Sequence, residues 1–140
     1  MKTLITPNLI KFTLATLVLT VMFRIGLSTS ITNQILVAII MSAVVYAILM
    51  WLNGYYFGKK EHEYLPIYDI GFRFHLATFF GHNIISIFWF LFGFESKYEN
   101  IKTVYLTALI WSVFLITHLI LYLFARKTSI KNLNKDDLFE

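Results

Sequence analysis

The sequence predicts an all-α membrane protein, a bundle of four transmembrane helices in an antiparallel up-down arrangement. Of its 140 residues, 58% are hydrophobic and only 14% are charged, whereas a soluble domain carries about 25% charged residues. The mean hydropathy is +0.68. Four apolar stretches are separated by polar segments, and each is long enough to cross a bilayer, which takes about 20 residues. We expect one integral membrane domain over residues 1–140 with the lipid bilayer around it.

The first predicted span covers about residues 9–27. Its most apolar part is short and is followed by the small residues 28–30 (STS), a pattern that a signal-peptide cleavage site also shows. Because the apolar run can be extended to a full span, we interpret it as a transmembrane helix. Thr13, Thr16, Thr20 and Arg24 fall on one face of that helix. This spacing predicts a packing stripe, with the arginine near the span's end and able to reach the interface.

The remaining spans are predicted at about residues 34–53, 72–94 and 103–125. The polar segment from Gly58 to Gly71 joins the second span to the third, and Pro66 prevents a continuous helix through it. A shorter loop at residues 95–102 joins the third to the fourth. The tail after the fourth span begins basic and ends acidic, which is typical of a short surface helix; its apolar residues would be Ile130, Leu133 and Leu138.

The polar segment contains Glu61, His62 and Glu63 in a row, residue types that bind metals. Adjacent residues on a helix point in different directions, so they seldom bind one ion together. We interpret these side chains as solvated charge, and the sequence predicts no metal site here.

The lysines and arginines predict how the chain is threaded through the membrane. The two sides divide the 12 basic residues nine to three. By the positive-inside rule, both termini and the middle loop lie in the cytoplasm. The side with nine holds Lys2, Lys11, Lys59, Lys60, Arg73, Arg126, Lys127, Lys131 and Lys135, and the other side holds Arg24, Lys97 and Lys102.

Several function classes lack the residues they need. The chain has no cysteine, which excludes thiol–disulfide chemistry and thiolate metal sites. No Asp or Glu precedes Glu61 or lies inside the last two spans, which disfavours transporters that rely on a carboxylate in the membrane. The sequence contains no serine–histidine–acid set, zinc-protease helix or phosphate-binding loop. We therefore predict no catalytic residues, and basic residues that flank the spans do not predict nucleic-acid binding.

Histidine lies inside the third and fourth spans, where it needs a polar partner. Helical rise places His82 about 14 Å and His118 about 10 Å from the cytoplasmic boundary, with Tyr46 at a similar level. Since lipid offers no hydrogen-bond partner, we expect such side chains to face inward. The predicted polar packing set is Tyr46, Asn53, His75, Asn83, Trp111 and His118.

Three interpretations of these histidines stay open. In the first, the polar groups bond to one another across helices and determine the packing. In the second, His75, His82 and His118 bind haem or a metal ion, with His82 and His118 best matched in depth as two axial ligands. In the third, the histidine stripes line a pathway for protons or a small molecule.

Two motifs, GFRFHLATFFGHN at residues 71–83 and WSVFLITH at residues 111–118, resemble the bacterial "2TM domain" family. The family pattern is Gly-Phe-x-x-His-Leu followed by Asn, then Trp followed by Leu and His in the next helix. The resemblance covers about residues 70–127. The matching residues are Gly71, Phe72, His75, Leu76, Asn83, Trp111, Leu115 and His118, and the departures from the pattern are Phe79, His82 and Ser112.

The resemblance implies a membrane module that occurs alone or attached to signalling domains such as sensor kinases, with no catalytic residues assigned to it. It favours His75, Asn83, Trp111 and His118 over His82 as the defining polar set. We therefore expect a non-enzymatic accessory, sensory or interaction subunit in the bacterial cytoplasmic membrane. Its partner would be a second copy, another membrane protein or a cytoplasmic protein that contacts the middle loop and the tail.

Overall fold

Four long helices make up the protein. The structure, a computed structural model, describes residues 5–62 and 66–131, without the side chains of Tyr68 and residues 128–131. Within those ranges the chain is all-α, and all four helices are long and apolar enough to cross a membrane, as predicted. They are α1 (Pro7–Thr32), α2 (Leu36–Glu61), α3 (Ile67–Leu91) and α4 (Ile101–Lys131). Lys2, Glu63 and most of the predicted tail helix, including Leu133 and Leu138, lie outside the described residues.

Helix α1 is longer than the predicted span of about residues 9–27 and includes the small residues 28–30. Thr6 caps its start, since the Leu9 amide donates to Thr6 Oγ1 at 3.1 Å. Near its end, the Ser30 and Thr32 hydroxyls donate to carbonyls four residues earlier. These side chains are satisfied within the helix, so they do not break it. The turn follows at Gln34, whose φ of 56° is left-handed.

The polar segment between α2 and α3 is also shorter than predicted. Helix α2 continues to Glu61, and α3 begins directly after Pro66, which has extended dihedral angles. In the first turns of α3, Arg73 Nε lies 2.8 Å from Asp69 Oδ1. This pair one helical turn apart favours helix where the sequence predicted loop. At its other end α3 stops at Leu91, because Gly93 takes a left-handed φ of 72°.

The helices pack in the order α2, α1, α3, α4. Helix α1 contacts α2 and α3 extensively, α3 contacts α4, and α2 touches α3 only slightly. Among the described residues, no Cα of α4 comes within 8 Å of a Cα of α1 or α2. Helix α4 therefore packs mainly against α3.

The side chains buried among the helices are mostly polar, while large apolar side chains cover the outside. Thr16 and Thr20 have no exposed surface, and Ser86 and Arg24 are almost fully buried. Phe12 and Phe74 form a small apolar contact, with ring centroids 4.2 Å apart. This distribution suits a lipid environment, in which apolar groups need no burial and polar groups need partners.

Candidate functional site

The first polar cluster joins α3 to α4 and consists of His75, Trp111 and His118; we call it the histidine–tryptophan cluster. Trp111 Nε1 lies 2.7 Å from His75 Nε2, and His75 Nδ1 lies 3.1 Å from His118 Nδ1. An indole nitrogen can only donate, so His75 Nε2 must accept. In neutral rings, His75 then donates from Nδ1 to His118 Nδ1, and His118 carries its proton on Nε2.

Gly71 makes room for this cluster. A Cβ atom at Gly71 would lie 3.3 Å from His118 Nε2, closer than ordinary van der Waals contact. One residue on, the Phe72 ring stacks on Tyr122 at a centroid distance of 5.0 Å. The Gly-Phe pair of the first motif thus positions the histidine of the second.

A second chain of hydrogen bonds crosses α3, α2 and α1 through His82, Tyr46 and Thr20; we call it the tyrosine relay. The Tyr46 hydroxyl lies 3.1 Å from His82 Nδ1 and 2.9 Å from Thr20 Oγ1. Thr20 already donates its proton to the Thr16 carbonyl at 2.8 Å, so it accepts from Tyr46. Tyr46 in turn accepts from His82 Nδ1. A neutral His82 therefore keeps Nε2 as an acceptor.

An ion pair closes the end of the protein near the loop between α3 and α4. Arg24 Nη2 lies 2.6 Å from Glu99 Oε2, with side-chain exposures of 6% and 5%. The Ser96 amide donates to the other carboxylate oxygen at 3.2 Å. The arginine was predicted to reach the interface, and this prediction was wrong, because the loop folds over α1 and supplies a buried carboxylate. The Phe90 ring, 5.4 Å from the guanidinium carbon, also covers the charge.

Beside this ion pair lies a cavity of about 420 Å³ between α1, α3 and α4, which we call the Arg24 cavity. Its volume is typical of small-molecule sites, which measure about 300–1,000 Å³. Two of its buried polar atoms, Arg24 Nε and Ser86 Oγ, have no hydrogen-bond partner among the described residues. The cavity wall also includes Phe23, His82, Phe90, Tyr98, Glu99 and Trp111.

Five of the six predicted packing residues form hydrogen bonds between helices, and Asn83 is the exception. Asn53 Nδ2 donates to Thr16 Oγ1 at 3.2 Å and joins α2 to α1. Asn83 instead donates to the Phe79 carbonyl of its own helix at 2.7 Å and lines the Arg24 cavity. The other four members belong to the histidine–tryptophan cluster or the tyrosine relay.

The two histidines matched by depth, His82 and His118, have different partners. His118 bonds to His75 and His82 bonds to Tyr46, so both rings would have to leave these partners before the pair could bind one haem. In the part of the chain that the structure describes, no three histidine, aspartate or glutamate side chains group as metal ligands.

Sequence reasoning missed Glu99 and did not select Ser86 for the packing set. The available signal for Glu99 was a lone arginine near the end of one span and a loop with two glutamates predicted on the same side of the membrane. Comparison with known proteins adds no relative: no family model, curated protein or solved structure matches this chain.

Proposed function

We propose that this chain is a multi-pass protein of the bacterial cytoplasmic membrane that acts without catalysis, as an accessory, sensory or interaction subunit. One observation carries the proposal: α4 meets the other helices through α3, across the histidine–tryptophan cluster. Hydrogen bonds between membrane helices contribute only about 0.6 kcal/mol each on average. Modest forces from a ligand or partner are therefore enough to shift α4 against the other three helices.

The proposed threading is antiparallel, with both termini in the cytoplasm. It is supported by contacts in which early residues of one helix meet late residues of the next. Phe12 lies 6.4 Å from Phe57 between ring centroids. The corresponding distance between Phe72 and Tyr122 is 5.0 Å. In this threading the resemblance to the 2TM domain covers α3 and α4, while α1 and α2 form an added pair.

The proposed output is a movement of α4 relative to α1 and α2. Helix α4 continues beyond its apolar portion to Lys131. A shift at His118 would be carried along the helix to its cytoplasmic end and to the tail that follows. A partner there, or a second copy in the membrane, would detect this shift, and the short connection at residues 62–66 offers a further contact.

The test is photocrosslinking in the native membrane from the outer face of α4. A benzoylphenylalanine at Leu109 should give a discrete protein adduct, and the additional change His118→Leu should reduce its yield because α4 is repositioned. The matched control carries the same group at Val37, an equally exposed position on α2. A partner that contacts α4 within the membrane is ruled out if Leu109 gives no protein adduct, and a movement of α4 is ruled out if the adduct forms equally well with His118→Leu. Mass spectrometry of the adduct distinguishes a second copy from another partner.

A second candidate function is a proton pathway. It is favoured by the closeness of the histidine–tryptophan cluster and the tyrosine relay. The two networks approach each other where the centroids of the His82 and Trp111 rings lie 5.5 Å apart. Purified protein in vesicles should then carry a pH-dependent proton flux that His118→Ala abolishes. This function is excluded if the proton permeability of the vesicles is no higher than that of protein-free vesicles.

A further inference from the structure

We propose that the Arg24 cavity binds an uncharged aromatic alcohol, a compound of the phenol or hydroquinone kind that reaches the site from the bilayer. The wall of the cavity contains polar atoms that lack a hydrogen-bond partner in the described part of the chain. Arg24 Nε is buried with no partner, and Ser86 Oγ is 99% buried with none among the described residues. Leaving such groups unpaired is unfavourable, so the cavity calls for an occupant that bonds to them.

The donor and acceptor roles of the atoms in the cavity wall specify the polar group of the ligand. Arg24 Nε can only donate. The tyrosine relay leaves His82 Nε2 as an acceptor in the neutral ring. Ser86 Oγ can do either. A hydroxyl group donates one hydrogen bond and can accept two, so it can bond to all three atoms, whereas an ether or a ketone lacks the donor.

The charge balance specifies an uncharged ligand. Glu99 already neutralises Arg24 at 2.6 Å, and its other oxygen accepts from the Ser96 amide. An additional anion or cation in the cavity would therefore have no counter-charge, and an unpaired charge away from water is unfavourable. A phenol meets this requirement, because its pKa near 10 keeps it neutral at physiological pH.

The apolar side chains of the cavity wall indicate an aromatic ring on the ligand, and the positions of α1 and α4 indicate how the ligand enters. Phe23, Phe90, Tyr98 and Trp111 line the cavity and favour an aromatic ring. Helices α1 and α4 flank the cavity, yet none of their described Cα atoms approach within 8 Å. We take the space between these two backbones as the route by which a molecule dissolved in the lipid enters the cavity. Such a ligand would supply the signal for the sensory role proposed above. Binding of the ligand does not depend on that role, whereas its use as a signal rests on the proposed function.

The experiment compares three compounds of nearly equal size in detergent micelles: para-decylphenol, its methyl ether para-decylanisole, and decylbenzene. Dissociation constants follow from the rise of the unfolding midpoint with compound concentration. We expect para-decylphenol to bind at least about tenfold more tightly than decylbenzene, and the acceptor-only ether to fall between them. Equal binding of all three compounds, which a water-filled or lipid-filled cavity would give, overturns the proposal.

Two variants locate the site. Ser86→Ala should weaken para-decylphenol binding about three- to tenfold, while decylbenzene binding stays unchanged. The control Ser42→Ala makes the same change on α2, outside this cavity. It should leave the dissociation constants of para-decylphenol and decylbenzene within about twofold of their original values. Arg24→Lys keeps the charge but removes Nε, so the ether should lose its advantage over decylbenzene. If Arg24→Lys does not fold, Ser86→Ala and Ser42→Ala provide the test. Equal effects of these two changes on para-decylphenol binding would contradict the proposed site. These measurements use isolated protein, so they succeed or fail separately from the crosslinking.

Discussion

Arg24 on α1 and Glu99 in the loop before α4 form an ion pair of 2.6 Å in which both side chains are about 95% buried. The pair fastens the connection between α3 and α4 to α1, although no described Cα atom of α4 lies within 8 Å of a Cα atom of α1. Neither charge has water to solvate it, so each depends on the other.

Replacing Glu99 with Gln should lower the free energy of unfolding by about 3–5 kcal/mol, because the Arg24 charge would stay buried without a counter-charge. Unfolding by denaturing detergent measures the effect. The control Lys97→Gln alters an exposed charge in the same loop and should change stability by no more than about 0.5 kcal/mol. A Glu99→Gln protein as stable as the control would show that the pair is solvated.

Replacing Gly71 with Leu should destabilise the protein by about 1–3 kcal/mol, since the new side chain would collide with the His118 ring. The control Gly54→Leu places the same side chain on α2, where nothing lies within 4 Å of a Cβ. The control should be neutral or slightly stabilising, because Leu favours helix over Gly by up to about 1 kcal/mol. Equal effects at the two glycines would contradict the close contact between α3 and α4.

Changing Trp111 to Phe removes the donor to His75 Nε2 while keeping an aromatic ring. We expect a loss of about 0.5–1.5 kcal/mol in the free energy of unfolding. Trp51→Phe is the matched control, because Trp51 is exposed on α2 and stacks on Tyr55 without a role in the cluster. In a double-mutant cycle, Trp111→Phe should have little further effect when His75 is already Leu. Full additivity of the two changes would mean that the 2.7 Å contact contributes nothing.

Changing Tyr46 to Phe interrupts the tyrosine relay at its centre. His82 Nδ1 loses its acceptor and Thr20 Oγ1 loses a donor, so we expect a loss of about 1–2 kcal/mol in the free energy of unfolding. Tyr55→Phe removes a hydroxyl from an exposed tyrosine of the same helix and should be nearly neutral. Hydrogen exchange of the His82 ring proton, followed by NMR, should accelerate only in the Tyr46 variant. Unchanged exchange would show that His82 has another acceptor.

The sequence predicted the parts of this structure that depend on local properties. Four helices follow from four long apolar stretches, because a backbone in lipid must satisfy its own hydrogen bonds. Helical spacing placed Thr16, Thr20 and Arg24 on one face, and all three are buried together. The motif residues His75, Trp111 and His118 meet in one cluster for the same reason: each lies on the inner face of its own helix.

Pairing between helices was beyond such reasoning. His82 and His118 matched in depth, yet depth specifies only height along a helix and not rotation about its axis. The rotation of each helix about its axis directs the His82 ring toward Tyr46, and it brings the His118 ring to His75. Gly71 allows the second pairing by leaving room for the ring.

The sequence by itself determined that this protein has four membrane-length helices with polar inner faces, since hydropathy and helical period are properties of each segment alone. Only the tertiary structure decided which polar groups pair and which remain unpaired. Glu99 shows the reason: as a loop residue it has no periodicity to reveal its direction, and its partner lies 75 residues away on α1. Its pairing with Arg24 depends on how the loop folds over the helix end, and that fold also leaves the cavity open beside it.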